Sequence, residues 1–106
     1  MNKADLASLL EPVVGDGAAA SAAIDVLVDA MIREVAAGGS VTLTGFGTFE
    51  RVERAPRTGR NPRTGEVVRI EGTAGPRFRP SPAFRGYVAD PTTLPADGLV
   101  GGRARA

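Results

Sequence analysis

The chain has no cysteine and no histidine among its 106 residues. Without cysteine there is neither a disulfide framework nor a thiolate metal site, and the lack fits a reducing compartment. Without histidine as well, the common zinc sites, activated nucleophiles and neutral-pH bases cannot be built, which leaves carboxylates, Lys3, Tyr87 and hydroxyls as chemical groups. The expectation is a protein that is not an enzyme and carries no cofactor and no metal. Long apolar runs are missing too. Asp25, Asp29 and Arg33 interrupt the longest of them, well short of the roughly 18 residues that a membrane span requires. Met1-Asn2-Lys3-Ala4-Asp5 leads into a broken apolar pattern, not the continuous core of a signal peptide. These absences predict a soluble, cytoplasmic chain without a membrane partner.

What is present is unevenly distributed. The formal net charge is only +1, yet residues 1–49 set Lys3 and Arg33 against Asp5, Glu11, Asp16, Asp25, Asp29 and Glu34, a net of −4. Residues 51–79 hold eight arginines, at 51, 54, 57, 60, 63, 69, 77 and 79, against Glu53, Glu66 and Glu71, a net of +5. A basic segment on an acidic body points to a localised contact with a polyanion.

The apolar periodicity divides the chain. Asn2 is placed to cap a first helix along which Leu6, Leu9, Leu10 and Val13 recur at helical spacing, and Pro12 is expected to kink or stop it near Glu11. Gly15-Asp16-Gly17 reads as a turn and a cap, followed by helix formers through Ala37 until Gly38-Gly39. In that second helix Ser21, Asp25, Asp29 and Arg33 make one narrow polar stripe, while Ile24, Val26, Leu27, Val28, Met31, Ile32 and Val35 occupy the rest. A helix so apolar must be covered on most sides, and one chain of this size has too little to cover it, so a partner subunit is expected.

Val41 and Leu43 alternate with Ser40, Thr42 and Thr44 as in a half-buried strand; Gly45-Phe46-Gly47 makes a connection, and Thr48 to Arg54 a second strand. Ala55 to Gly65 has no large hydrophobic residue, so it either projects or is disordered. Val67, Val68 and Ile70 resume strand character, and Phe78 offers an apolar anchor. Ser81-Pro82 opens a short third helix with Phe84, Tyr87 and Val88. This organisation gives an α+β domain over 1–90 with an arm at about 54–75, and a tail over 91–106 without expected order, in which Arg103 and Arg105 are the only cations.

Two motifs have ordinary explanations. Gly45-Phe46-Gly47 falls short of a dinucleotide fingerprint because Glu50 stands where the third glycine belongs, and a tight turn accounts for it. Asp25 and Asp29, one helical turn apart, lack the further oxygen ligands that a hard cation requires and read as a solvated stripe. The run from Arg54 to Glu66 leaves two readings open, a solvated basic loop and a nucleic-acid arm. Arginine's planar fork suits phosphate, and Pro62 reads as either a turn residue or an apolar wedge between base pairs.

Gly45-Phe46-Gly47-Thr48-Phe49, followed by Arg57-x-Gly59-Arg60-Asn61-Pro62-x-Thr64-Gly65-Glu66, is similar to the signature of the HU and integration-host-factor proteins. The resemblance extends from Met1-Asn2-Lys3-Ala4-Asp5-Leu6 to Pro76, Phe78, Pro80 and Val88. It implies an intertwined dimer with a helical body and a three-stranded antiparallel sheet extended into β-ribbon arms that embrace the minor groove of double-stranded DNA. It also implies that Arg54, Arg57, Arg60, Asn61, Pro62 and Arg63 lie on or near the contacting arm, with Pro62 intercalating. Lys3 stands for the family's phosphate-contacting lysines, with Arg79 and Arg85 as substitutes, and the basic segment adds Arg51, Arg69 and Arg77 to the set. The implied function is a nucleoid architectural protein that bends or compacts DNA with little sequence preference. A site-specific integration-host-factor-like subunit paired with a related chain, and a dimeric protein-interaction module with a weak arm, are the competing readings.

Overall fold

The computed structural model describes residues 1–100. Helix α1 spans Lys3–Val14 and begins with a reciprocal capping box: the Asn2 side chain accepts from the Asp5 backbone N–H at 3.0 Å, while the Asp5 carboxylate accepts from the Asn2 N–H at 2.9 Å. Pro12 neither stops nor shortens the helix as expected, because it stands close to the end. Only one backbone bond is forfeited before Gly15, at φ 112°, terminates the turn and donates to the Glu11 carbonyl at 2.8 Å. Helix α2, Gly17–Ala36, starts at Asp16, whose side chain accepts from the Ala19 N–H at 2.7 Å. Gly38, at φ 98°, turns the chain away after it.

Strand β1, Ser40–Leu43, pairs antiparallel with β2, Gly47–Arg54. Between them the Phe46 N–H donates to the Leu43 carbonyl at 2.9 Å, and Gly45 takes a positive φ of 81°. Gly47 is a different matter: a Cβ there would lie 2.5 Å from the Arg79 carbonyl oxygen and from the Phe78 ring, so no side chain fits where the strands close on each other. Phe46, Phe49, Phe78 and Phe84 stack around this point with centroids 4.6–6.2 Å apart, joining turn, sheet and helix α3 (Pro82–Ala89). Ser81 caps α3 by accepting from the Phe84 N–H at 3.1 Å.

The segment expected to project does so as paired strands. β3, Arg57–Arg60, and β4, Val67–Ile70, form their own two-stranded ladder, and β5, Thr73–Pro80, returns to complete the sheet in the order β1-β2-β5. The sequence showed only the Phe78 anchor of β5, because glycine and prolines dilute its alternation. Arg54 faces Thr73 and Arg57 faces Ile70 with two residues between them on each side, so the register passes unchanged from sheet to arm. The ladder lapses at that junction because Pro56 has no N–H to donate. There the backbones run close: a Cβ on Gly72 would meet the Arg54 carbonyl at 2.5 Å.

Past α3 the expected lack of order does not hold for Pro91–Thr93, a single 3-10 turn capped by the Asp90 side chain, which accepts from the Thr92 N–H at 3.1 Å. Arg103 and Arg105 lie outside the described residues.

One chain by itself encloses almost nothing. Among the described residues only Ala20 is both apolar and fully buried, while Val26, Leu27, Val28 and Ile32 of α2 are 47–69% exposed. Of the stripe expected to be polar and solvated, Asp25, Asp29 and Arg33 are exposed, but Ser21 is half-buried. Between α2 and the inner face of the sheet lies an open apolar groove of about 570 Å³, floored by Val28, Met31, Ile32, Val35 and Phe49. The radius of gyration, 19.5 Å, is far above the roughly 13 Å of a compact domain near this size, as a projecting arm requires.

Candidate nucleic-acid interface

At the tip of the arm the Asn61 N–H donates to the Glu66 carbonyl at 2.8 Å, and the Gly65 N–H donates to the Asn61 carbonyl at 2.7 Å. Three side chains stiffen the loop these bonds enclose. The Asn61 side-chain oxygen accepts from the Arg63 N–H at 2.8 Å, the Thr64 hydroxyl accepts from the Glu66 N–H at 3.2 Å, and Arg60 donates to the Gly65 carbonyl at 2.8 Å. Gly65 supplies the positive φ of 74° that turns the chain back. Pro62 thus sits exposed at the apex of a braced turn.

Strand alternation sorts the cations by face. With the register fixed, Arg54, Arg60, Arg69, Arg77 and Arg79 fall on one side of the ribbon and sheet, opposite the side that carries Phe49 and Phe78. Arg51 and Arg57 fall on the phenylalanine side. The outer face is therefore a row of guanidiniums running from sheet to tip, and Arg63 adds a charge in the loop. At about 3.3 Å per residue the tip reaches roughly 23 Å past Arg54, more than two Debye lengths at physiological salt, so acids on the body screen it little.

The arginines differ in what already holds them. Arg54, Arg57, Arg63 and Arg85 make no ion pair among the described residues, whereas Arg69 pairs with Glu71 at 3.0 Å. Arg51 is engaged structurally. It donates to the Ala36 carbonyl at 2.8 Å at the end of α2 and pairs with Glu53 at 2.9 Å, lashing the helix to the sheet. Lys3 pairs with Asp25 at 2.9 Å across α1 and α2. Arg85 is exposed on α3, apart from the row.

Glu50 stands outside the set of residues that the sequence singles out. On β2, opposite Arg77, it accepts from the Nε atoms of Arg77 and Arg79 at 3.0 and 3.1 Å. Its side chain is only 18% exposed. The hydrogen bonds from Arg77, then those from Arg79, hold its carboxyl below the ordinary value of 4.5. Nothing local to Glu50 signals this, because the contact depends on a register spanning 27 residues.

A two-helix base, a three-stranded sheet and a proline-tipped basic ribbon define a class of small α+β protein. Residues 1–89 match the family described as bacterial DNA-binding protein, and the chain belongs to that family, which takes in the HU and integration-host-factor proteins. It is 42% identical to DNA-binding protein HU 2 of Streptomyces coelicolor over 94% of this chain and 46% of that one, so it spans about half the length of that relative. It is 43% identical to DNA-binding protein HU of Xylella fastidiosa, over 69% of this chain and 87% of that protein. Integration host factor subunit beta of Pseudomonas aeruginosa is 42% identical over 65% of this chain and 73% of its own. In structure the chain resembles HU from Anabaena in a cocrystal with DNA, at a TM-score of 0.76 and 39% identity, covering 86% of this chain and all of that one.

Proposed function

We propose that two copies of this chain form an intertwined dimer that binds duplex DNA with little sequence preference and bends it, as an architectural protein of the bacterial nucleoid. The observation that carries this reading is the arm: a stiffened turn presents Pro62 at its apex, on a ribbon lined with arginines. Arg54, Arg57, Arg60, Arg63 and Arg69 neutralise phosphates and follow the minor groove, with Asn61 beside them; Arg77, Arg79, Lys3 and Arg85 meet DNA that wraps toward the body. Arg51 contributes by fixing the sheet to α2. Pro62 has an apolar ring and no N–H, so it enters a base step without needing a hydrogen-bond acceptor there. Unstacking costs on the order of a few kcal/mol per step, offset by the phosphate contacts that a bent duplex allows. The minor groove distinguishes little beyond A·T from G·C, so these side chains read little sequence. The work is mechanical and non-catalytic, and its place is the cytoplasm, on the chromosome.

Titration of linear, nicked and pre-bent duplexes, beside ligase-mediated circularisation of short fragments, tests the proposal. Binding that weakens steeply with salt, tightens on distorted duplexes and accelerates circularisation is the expected result. Elution from DNA resin at low salt, with no circularisation, would leave the protein-interaction module in its place. Strong preference for one sequence would favour an integration-host-factor-like role.

A further inference from the structure

We propose that Glu50 is a positioning residue that sets how strongly the outer face of the sheet engages a polyanion, by holding Arg77 and Arg79 in one shared ion-pair clamp. The proposal rests on the DNA-binding reading above and adds to it a residue that restrains binding. Among the described residues the other acids paired to a cation in the basic half are near neighbours in sequence: Glu53 to Arg51 and Glu71 to Arg69, both two residues apart, with glutamates 75% and 78% exposed. Pairs so open to water contribute little and exchange readily. Glu50 differs in enclosure and in geometry. It reaches across strands, is 18% exposed, and gives one oxygen to each guanidinium: Oε2 to the Nε and a terminal nitrogen of Arg77, and Oε1 to Nε and Nη2 of Arg79, at 3.1 and 3.0 Å.

Each guanidinium is therefore held by its Nε side, while the side chains remain 54% and 61% exposed, so other N–H groups stay open to solvent. The clamp has two effects on an approaching phosphate. It fixes the arginines side by side on the face shared with Arg54, Arg60 and Arg69, and it lowers the charge of that place from +2 to +1. A phosphate must either share the guanidiniums with the carboxylate or displace it. The hydrogen bonds from Arg77 and Arg79 that hold the carboxyl below its ordinary value point the same way, since the ionised form is the one that stays in place. The base of the interface is thus a moderated seat, and the unpaired arginines of the arm are the strong one.

The test compares the full-length wild type, Glu50→Gln and Glu53→Gln by titration on a random-sequence duplex across a salt series, and by salt elution from heparin. Both variants add the same charge, but Glu53 lies on the opposite face and Arg51 keeps its bond to the Ala36 carbonyl. Glu50→Gln is expected to bind several-fold to tenfold more tightly at 0.1 M salt, with a log–log slope steeper by about 0.9 per clamp. Glu53→Gln is expected to stay near wild type. No gain from Glu50→Gln, a loss, or an equal gain from Glu53→Gln overturns the proposal. If the wild type ignores the duplex yet Glu50→Gln leaves heparin later, the DNA reading fails and the clamp stands; if neither protein is retained on either, both fail. Should glutamine at 50 not fold, Glu50→Thr carries the same expectation, because threonine suits a strand.

Discussion

At the scale of single residues, charge and shape have separate roles along the arm. Pro62 contributes an apolar ring and no charge, whereas Arg60 contributes a charge and also braces the tip through the Gly65 carbonyl. Pro62→Ala is expected to keep most of the salt-dependent affinity while losing much of the bend and the preference for nicked duplexes; unchanged circularisation at saturating protein would reduce Pro62 to a turn residue. Arg60→Ala is expected to weaken binding to all duplexes alike and to lower the salt slope by roughly one unit per arm. Glu50 carries a signature of its own in acid. Its folded-state pKa is depressed, so its contribution to stability is complete above the unfolded value near 4.5 and fades as pH falls through the lower folded value. The stability difference between wild type and Glu50→Gln, measured by denaturant unfolding at fixed protein concentration, should therefore be constant above about pH 5 and shrink below pH 4.5. A difference that ignores pH would mean the carboxylate is not held by charge.

Among elements, the arm is separable from the body. Arg54 and Thr73 face each other in a continuous register, and Pro56 already interrupts the ladder beyond them. Replacing residues 55–72 with Asn-Gly should close a two-residue hairpin at that point and leave the three-stranded sheet intact. The shortened chain is expected to fold with an unchanged far-ultraviolet helix signal and to lose most of its duplex affinity. Arg57, Arg60, Arg63 and Arg69 go with the segment, and the salt slope should fall by about 3 to 4 units per arm. Retained affinity and slope would move the binding surface to the body.

The whole molecule has a deficit that the proposed dimer would repair. Among the described residues a single apolar side chain is fully buried and α2 exposes Val26, Leu27, Val28 and Ile32, so one chain encloses little of the area that stability draws on. The groove beside α2 is apolar along its floor and, of its lining residues, only Arg51 is charged. Ile32 is 62% exposed in one chain, so a lone folded monomer should tolerate Ile32→Asp as a surface change. An intertwined dimer should not: the expected outcome is an unfolded or aggregated protein, while the wild type sediments at about twice the chain mass. A stable, helical, monomeric Ile32→Asp protein would remove the case for the dimer.

Much of this was legible in the residues. Caps at Asn2, Asp16 and Ser81 fixed where the helices start, because an oxygen-bearing side chain before an apolar repeat satisfies bare N–H groups locally. The apolar excess of α2 announced missing cover, and the absence of any large hydrophobic residue between Ala55 and Gly65 put that segment outside any core, projecting or disordered. These are local facts, settled by neighbours within a turn or a strand. What needed the tertiary structure was whatever depends on register or on position within an element. The helix carries Pro12 because the end is near, β5 exists because β2 gives it a partner, and the positive row differs from a plain list of arginines because alternation puts Arg51 and Arg57 on the other face. Glu50 marks the limit most clearly. Its two partners lie 27 and 29 residues away, and only the pairing of β2 with β5 brings the three charges within hydrogen-bond reach.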